Sequence, residues 1–509
     1  MRHVDSTSAL VGALGMLFSV NSLAQESFDE QVEALVGPYS NALSDFVFYR
    51  IDVFGQAFPL IVIWLLAAAV FFTLYMGFIN LRGMRLAIRH VRGEFYNPTA
   101  KGEITHFQAV ATAISGTVGI GNIGGVAVAI VVGGPGAAFW LVAAGFLSMS
   151  TKLVECTLGV KYRRSNADGS VSGGPMFYLE HYFSSRAWPR VGKALGSFYA
   201  LSLVIGCLGI GNMFQSNQAY AQFVVISGGE NSFFADKGWL FGIAIALVVG
   251  AVILGGIRSI ARVASLIVPF MGVLDVVSAL IIIAMSYEYL PGAVALIVGD
   301  AFTMESATGG MLGAMIVGFQ RALFSNEAGI GSASIAHSAV QTREPVSEGL
   351  VSLLEPFIDT VVICTLSSLV IVTTAFPHGL IEQDLEGIAL TSAAFEHHIS
   401  WAPYPLAMAA LLFAFSTSIS WSYYGLKGWT YLFGEAVWTQ VLFKAIFCGF
   451  IALGCMIQLG AVLDFSDAMI FLIAIPNILG LYLFAPEVKR DLKDYLARIR
   501  ADEVYRPAA

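Results

Sequence analysis

Eleven apolar runs constrain this chain more strongly than any other feature of its sequence. They lie near residues 57–79, 107–132, 137–160, 192–224, 238–255, 263–287, 309–337, 349–375, 402–425, 440–460 and 466–485. Apolar runs of about 20 residues are typical of helices that cross a bilayer. Charged residues make up only 12% of the 509 residues, against about 25% in soluble domains. The sequence therefore predicts an all-α polytopic membrane protein with about eleven transmembrane helices.

Two of these runs are interrupted by glycine at mid-depth, at Gly119-Ile120-Gly121 and at Gly329-Ile330-Gly331. Non-helical backbone survives at membrane depth only where it lines a protein cavity. The half-helix ends then offer N–H groups to an anion and carbonyls to a cation. Five spans separate the two breaks, so their helices are expected to cross in opposite directions. This pattern predicts an inverted-repeat secondary transporter with one extra helix ahead of a five-plus-five core.

The same pattern predicts the organisation of the chain. The predicted segments are a signal peptide (1–24), an external amino-terminal segment (25–56), an extra helix with a basic cytoplasmic loop (57–106), a first repeat (107–290), a second repeat with external loops (291–486) and a basic cytoplasmic tail (487–509).

Three other interpretations of the first break compete with a binding site. Gly119, Gly121 and Gly124 match a dinucleotide-binding pattern, but that motif requires a strand and a helix in a soluble unit. Gly121 and Gly125 also match the small-residue spacing of closely packed membrane helices, which is compatible with a site. A channel filter usually repeats one short loop around a symmetric pore, whereas these two breaks differ.

Two further spans carry polar side chains. Gly211, Gln215 and Gln218 are predicted to share one face of the fourth span. A buried glutamine there either binds substrate or makes an interhelical hydrogen bond. In the ninth span, Thr417 and Ser418 offer two adjacent oxygens, which suit a sodium ion. Hydroxyl groups in a helix also bond back to the preceding turn, so that alternative remains open.

A charged residue inside a membrane span suggests a functional role and is expected to have a partner nearby. Arg321 and Glu327 are predicted to neutralise one another across the second break, with a coupling or gating role. Lys152 and Glu155 are three residues apart on the third span and are expected to form a structural pair. Further intramembrane acids with a candidate coupling role, or else a packing role, are Asp275, Glu355 and Asp359.

The distribution of basic residues predicts the orientation of the chain. Basic residues cluster after the first span and in the tail, at Arg82, Arg85, Arg89, Arg92, Lys101, Lys489, Arg490, Lys493, Arg498 and Arg500. The amino end is therefore expected outside and the carboxyl end in the cytoplasm of a bacterial inner membrane. The apolar run after Arg2, followed by Ser22-Leu23-Ala24, predicts a cleaved signal peptide. An uncleaved amphipathic tail is the alternative.

Motifs in three spans resemble those of the alanine or glycine:cation symporter family of sodium:alanine symporter type. They are Ser115-Gly116-Thr117-Val118-Gly119 with Gly121-Asn122, Phe324-Ser325-Asn326-Glu327-Ala328-Gly329, and Phe415-Ser416-Thr417 with Trp421-Ser422-Tyr423-Tyr424-Gly425. The resemblance covers roughly residues 57–490. It implies a leucine-transporter-like fold and sodium- or proton-coupled uptake of small neutral amino acids such as alanine or glycine.

The resemblance also implies roles for individual residues. The residues implied to bind substrate are Gly119, Gly121, Asn122, Gln215, Thr417 and Trp421. Those implied to bind sodium are Ala414, Thr417 and Ser418, with carbonyls from the region of Ser115 to Val118.

The predicted function is that of a secondary symporter. Its expected partners are a small neutral amino acid, the coupling ion and the lipid bilayer; no cofactor, nucleotide or nucleic acid is expected, and the oligomeric state stays open. An intramembrane enzyme is disfavoured because no H-E-x-x-H or G-x-S-x-G motif is present. The remaining alternatives are an ion channel, constitutive or gated by an amino acid, and a transporter-like sensor.

Overall fold

The computed structural model describes residues 42–53, 56–166, 169–303, 310–383, 385, 387–501 and 504. The predicted signal peptide and most of the predicted external segment lie outside the described residues.

Helices dominate the described residues. Those of the first half are α1 (Leu60–Tyr75), α2 (Ile79–Arg82), α3 (Met84–Val91), α4 (His106–Thr117), α5 (Gly124–Gly133), α6 (Gly136–Lys161), α7 (Pro175–Ser184), α8 (Pro189–Gly206), α9 (Phe214–Ile226), α10 (Gly238–Ile253) and α11 (Gly256–Met285). Those of the second half are α12 (Leu290–Ala301), α13 (Gly310–Asn326), α14 (Ser332–His337), α15 (Pro345–Val351), α16 (Leu354–Pro356), α17 (Thr365–Thr374), α18 (Ile388–His398), α19 (Pro403–Phe433), α20 (Val437–Gly454) and α21 (Leu459–Arg500).

Short irregular elements join some of these helices. Single 3₁₀ turns are Ile120–Asn122, Gly229–Asn231 and Leu380–Gln383, and π-helical segments are Gly209–Met213 and Phe357–Cys364. The structure also contains two antiparallel hairpins that an all-α prediction omits. They pair β1 (Arg50–Val53) with β2 (Gln56–Pro59), and β3 (Arg164–Ser165) with β4 (Val171–Ser172).

Each of the eleven predicted spans contains helix, but the helices differ in length. In the described part of the chain, 7 helices are long and apolar enough to cross a membrane, or up to 8 when the bent pair formed by α4 and the helix after it counts as one span. Shorter apolar helices are Leu60–Tyr75, Gly238–Ile253 and Leu290–Ala301. The protein is therefore a multi-pass membrane protein, and the count of eleven stays a prediction.

The outward faces of the helices are apolar, as a bilayer requires. Along α11 the exposed side chains include Leu266, Phe270 and Val273, which are 72%, 57% and 63% exposed. A soluble protein rarely presents so extended an apolar surface. Polar groups are found inside the bundle instead.

Two packing relationships position the polar interior. Helix α6 packs against α13, α14 and α15, so it runs beside the second break. Helix α4 packs against α19 and α11, so the first break faces the middle of α19. The two breaks and α19 thereby surround one region of the bundle.

Candidate substrate and cation site

The first predicted break is present in the structure. Helix α4 begins with a capping box between Thr105 and Gln108 and ends at Thr117. Val118 and Gly119 are extended, and the helix that follows is inclined by 59°. The backbone at this bend is buried among neighbouring helices, which agrees with the rule that irregular backbone at membrane depth lines a protein interior.

Gly119, Gln215 and Thr417 meet at this bend although they are far apart in the sequence. A Cβ atom on Gly119 would lie 2.8 Å from Oγ1 of Thr417 and 3.0 Å from Oε1 of Gln215. The same Gln215 oxygen accepts a 3.1 Å hydrogen bond from the N–H of Ile120. A glycine is thus required here by close approach, and three predicted substrate residues lie at one point.

Gln215 itself follows a local distortion of its helix. The π-helical segment Gly209–Met213 precedes it, and its amide donates to the carbonyl of Ile210 at 3.1 Å. Gln218 lies one turn further on, where its oxygen accepts from the N–H of Ile388 at 3.2 Å and faces Gly124 at the start of α5. Among the described residues, Gln215 is the one of the two glutamines that forms a hydrogen bond with the backbone of the first break.

Asn122 links the first break to an acidic residue. Its oxygen accepts from the N–H of Gly119 at 2.9 Å, and its amide donates to Oδ1 of Asp359 at 2.7 Å. The other Asp359 oxygen accepts from the hydroxyls of Ser325 and Thr360 at 2.8 Å and 2.6 Å. One candidate coupling acid, Asp359, therefore lies directly beside the first break.

The residues implied to bind a cation lie where α4 and α19 face each other. Ser115 donates to the carbonyl of Ser416 at 2.6 Å, and Ser420 donates to the carbonyl of Thr112 at 2.9 Å. Val118, Ala414, Thr417 and Ser418 are all buried in this region. The Thr417 hydroxyl is buried and has no hydrogen-bond partner among the described residues. An oxygen left without a partner in a buried interface suits a bound ion, because such a group is otherwise costly.

The second break is also present, between α13 and α14. Glu327, Gly329 and Gly331 have φ angles of 55°, 89° and 89°. The left-handed region is accessible to glycine but strained for a glutamate. The surrounding contacts must therefore hold Glu327 in this conformation.

Glu327 contacts α19 rather than Arg321. Its Oε1 accepts from the indole N–H of Trp421 at 2.8 Å, and its Oε2 accepts from the hydroxyl of Ser332. Arg321 instead forms a buried ion pair with Asp467 on α21. The expected pairing of Arg321 with Glu327 is replaced by two separate contacts, because the left-handed turn at Glu327 directs its side chain towards α19.

The expected pair on the third span is confirmed, with 3.6 Å between Lys152 Nζ and Glu155 Oε1. Lys152 also pairs with Oε1 of Glu355 at 3.0 Å. Asp275 is buried on α11, and no described residue forms a hydrogen bond with its Oδ2.

A family model described as the sodium:alanine symporter family matches residues 42–507. The chain belongs to this family. It is therefore a transporter that couples cation entry to amino-acid uptake, and it is not an enzyme.

Two similar proteins have names that agree with the family assignment of this symporter. The sodium/alanine symporter AgcS of Methanococcus maripaludis is 36% identical over 441 residues, covering 86% of this chain and 94% of the relative. The probable sodium/glutamine symporter GlnT of Bacillus subtilis is 33% identical over 444 residues, covering 87% and 89%.

The fold of the symporter also resembles a solved structure. The crystal structure of MhsT in complex with L-phenylalanine matches with a TM-score of 0.53 and 16% identity, covering 77% of this chain and 98% of that one. The likeness supports the leucine-transporter-like fold, whereas the five-plus-five repeat stays a prediction.

Several residues of the symporter's polar interior were not singled out by the sequence. Asp467 and Asn477 on α21 contact Arg321 and the second break respectively. Both are polar residues inside the last apolar run, and this position is the sequence feature that could have identified them. Their partners could not be read from the sequence, because they lie more than 140 residues away.

Proposed function

We propose that this symporter takes up alanine-sized neutral amino acids, including glycine, together with sodium. The observation that carries the proposal is the convergence of Gly119, Gln215 and Thr417 on the first break. Their close approach leaves little room for a large side chain, which favours a small substrate. Glutamine, which is named for one relative, is thereby the less favoured substrate.

The amino-acid carboxylate is proposed to bind at the first break. Backbone groups around Gly119 and Gly121 and the side chain of Asn122 would hold it. The N–H of Ile120 is held by Gln215 at 3.1 Å, so substrate binding exchanges one hydrogen bond for another. Trp421 would close the pocket from α19, where its indole ring is fully buried.

The cation is proposed to bind between α4 and α19. Thr417 and Ser418 would contribute hydroxyl oxygens, and Ala414 a carbonyl oxygen. Ser115 and Val118 would contribute carbonyls from the first break, where Val118 leaves the helical conformation with ψ of 94°. The ion then stabilises the bend that the amino acid also uses. Reciprocity requires the amino acid to raise cation affinity by the same factor.

Coupling by a proton is the specific alternative, because buried carboxyl groups lie near both breaks. Asp359 contacts Asn122 at the first break, and Glu327 contacts Trp421 at the second. Each would bind a proton where sodium is not the coupling ion.

Orientation and repeat structure belong to the same proposal. The amino end is placed outside a bacterial inner membrane and the carboxyl end in the cytoplasm. The repeats are 107–290 and 291–486, and rocking of one helix bundle against the other would expose the loaded site to the cytoplasm.

The deciding experiment measures uptake of radiolabelled alanine into proteoliposomes under an imposed sodium gradient and, separately, a proton gradient. Accumulation above equilibrium with sodium alone supports the proposal. Accumulation with a proton gradient alone would instead assign the coupling role to the buried carboxyl groups. No accumulation in folded protein, or conductance far above carrier turnover, contradicts a symport function. Competition by excess unlabelled glycine, serine and glutamine ranks the substrates.

A further inference from the structure

Lys152, Glu155 and Glu355 form a buried charged cluster that the proposed transport steps do not use. All three side chains are fully buried. Buried ion pairs seldom add stability over an apolar replacement of the same volume. Their presence beside the second break therefore calls for a role other than stability alone.

This charged cluster contacts backbone groups that the second break leaves free. Lys152 Nζ donates to the carbonyl of Asn326 at 2.9 Å, which is the last residue of α13. Glu155 Oε2 accepts from the N–H of Gly329 at 3.1 Å. The last carbonyls and the first N–H groups of a helix have no partner within it. The two side chains thus replace hydrogen bonds that an unbroken helix would supply.

Helix α21 holds the same turn from another side. Asn477 donates to the Gly329 carbonyl at 2.8 Å and to Glu155 Oε2 at 3.2 Å. The hydroxyl of Tyr199 donates to the carbonyl of Ile330 at 3.1 Å. The turn is therefore fixed residue by residue between α6, α8 and α21.

Glu355 depends on Lys152 for its position. Within the described part of the chain, neither of its carboxylate oxygens has a hydrogen-bond donor in good geometry, and Lys152 Nζ lies 3.0 Å away. His337 Nε2 lies 3.8 Å from the other oxygen, and the opposite nitrogen of that ring contacts Glu348. Lys152 consequently joins the second break to the segment that carries Glu355 and, four residues further on, Asp359.

We propose that Lys152, Glu155 and Glu355 are positioning residues that hold the second break in its amino-acid-binding shape. They fix the turn that directs Glu327 towards Trp421. This inference rests on the proposed pocket at α19. Loss of the cluster would weaken substrate affinity more than maximal transport rate, since the loaded state still forms when substrate is abundant.

The main variant is Lys152→Met combined with Glu355→Gln, which removes one charge of each sign. It keeps the summed charge of the cluster while deleting the donor to Asn326. We expect the alanine KM to rise about tenfold, the magnitude for loss of one charged hydrogen bond, with a smaller change in maximal rate. The substitution Lys152→Arg keeps the charge and the N–H donors. We therefore expect it to retain most of the affinity for alanine that the double variant loses.

A second readout is independent of the substrate's identity. Hydrogen–deuterium exchange of the segment 324–334 in the full-length protein should accelerate in the double variant, because the turn loses its anchors. Asn477 contacts the same turn from α21, and Asn477→Leu changes no charge. This substitution should therefore raise both the alanine KM and the exchange rate of the segment. It serves as the test should the double variant fail to fold.

Lys161→Met is the matched control. Lys161 lies on the same helix and pairs with Glu487 at 2.6 Å, away from the second break. It should change neither KM nor exchange in the 324–334 segment. Unchanged KM and exchange in folded double variant or Asn477→Leu would overturn the inference. Failure of wild-type transport, with exchange still accelerated in the variants, would overturn the proposed function alone.

Discussion

The indole N–H of Trp421 donates a 2.8 Å hydrogen bond to Oε1 of Glu327, which has a left-handed backbone conformation. This bond joins the middle of α19 to the second break. Both side chains are buried, with Trp421 at 0% and Glu327 at 1% exposure. Since α19 also faces the first break, Trp421 links the two interrupted helices across the interior.

Replacing Trp421 by phenylalanine should reduce alanine affinity. The change removes the donor to Glu327 and leaves a buried acceptor with one partner fewer, at a cost of about 1–3 kcal/mol. We expect KM for sodium-driven alanine uptake to rise at least about fivefold, which is about 1 kcal/mol.

Trp429→Phe provides the control, because Trp429 lies on the same helix and its buried Nε1 finds no hydrogen-bond partner in the part of the chain that the structure describes. Equal effects of the two substitutions on KM would refute a specific role for the Trp421–Glu327 bond.

Gly119→Ala should abolish most transport while the protein still folds. The new Cβ would lie within 3.2 Å of three side-chain atoms of Thr417 and Gln215. Overpacking of this kind costs about 1–3 kcal/mol and occupies the space proposed for substrate. Initial uptake rates, normalised to folded protein, measure the effect.

Gly125→Ala is the paired control, because a Cβ on Gly125 meets nothing within 4 Å. Its uptake should equal that of the wild type. Normal uptake by Gly119→Ala would disprove the location of the pocket.

Thr417→Val should weaken sodium dependence without destabilising the protein. The hydroxyl has no hydrogen-bond partner in the described residues, so its removal leaves no second group of theirs unsatisfied. We expect the sodium concentration for half-maximal uptake to rise about tenfold, the equivalent of about 1.4 kcal/mol, with an unchanged melting temperature.

Thr430→Val, on the same helix, tests specificity. Its hydroxyl bonds back to the Lys427 carbonyl at 3.3 Å, outside the proposed ion site. A shift of sodium dependence in both variants would show a general effect of α19 rather than an ion ligand at Thr417.

Acid should destabilise the packing of α3 through His90. Burial, aided by the nearby His106, lowers the pKa of His90 from 6.5 to about 3. The folded state thus favours the neutral ring. The contribution of this ring to the free energy of unfolding is fully present above pH 6.5. It is lost as the pH falls from 6.5 towards 3, by at most about 1.4 kcal/mol per pH unit.

Melting temperatures in detergent at pH 7.5 and pH 5 test this expectation. The decrease on acidification should be smaller in His90→Phe than in the wild type, whatever the variant's absolute stability. An equal decrease in both proteins would remove His90 as a source of acid sensitivity.

Local sequence was enough to locate both breaks and the residues on them. Backbone that leaves the helix at a glycine pair is tolerated at membrane depth only where the surrounding protein supplies partners, and that rule needs no coordinates. The pair formed by Lys152 and Glu155 was predictable for a similar reason, because residues three apart share a helix face.

Only the tertiary structure decided which side chains meet at the breaks. The sequence suggested Arg321 for Glu327, yet the structure pairs Glu327 with Trp421 and Arg321 with Asp467. Likewise, Lys152 binds the Asn326 carbonyl 174 positions away. Such contacts depend on how whole helices cross and on the direction of one left-handed turn. Helix periodicity determines a side chain's face, but not the helix that packs against it.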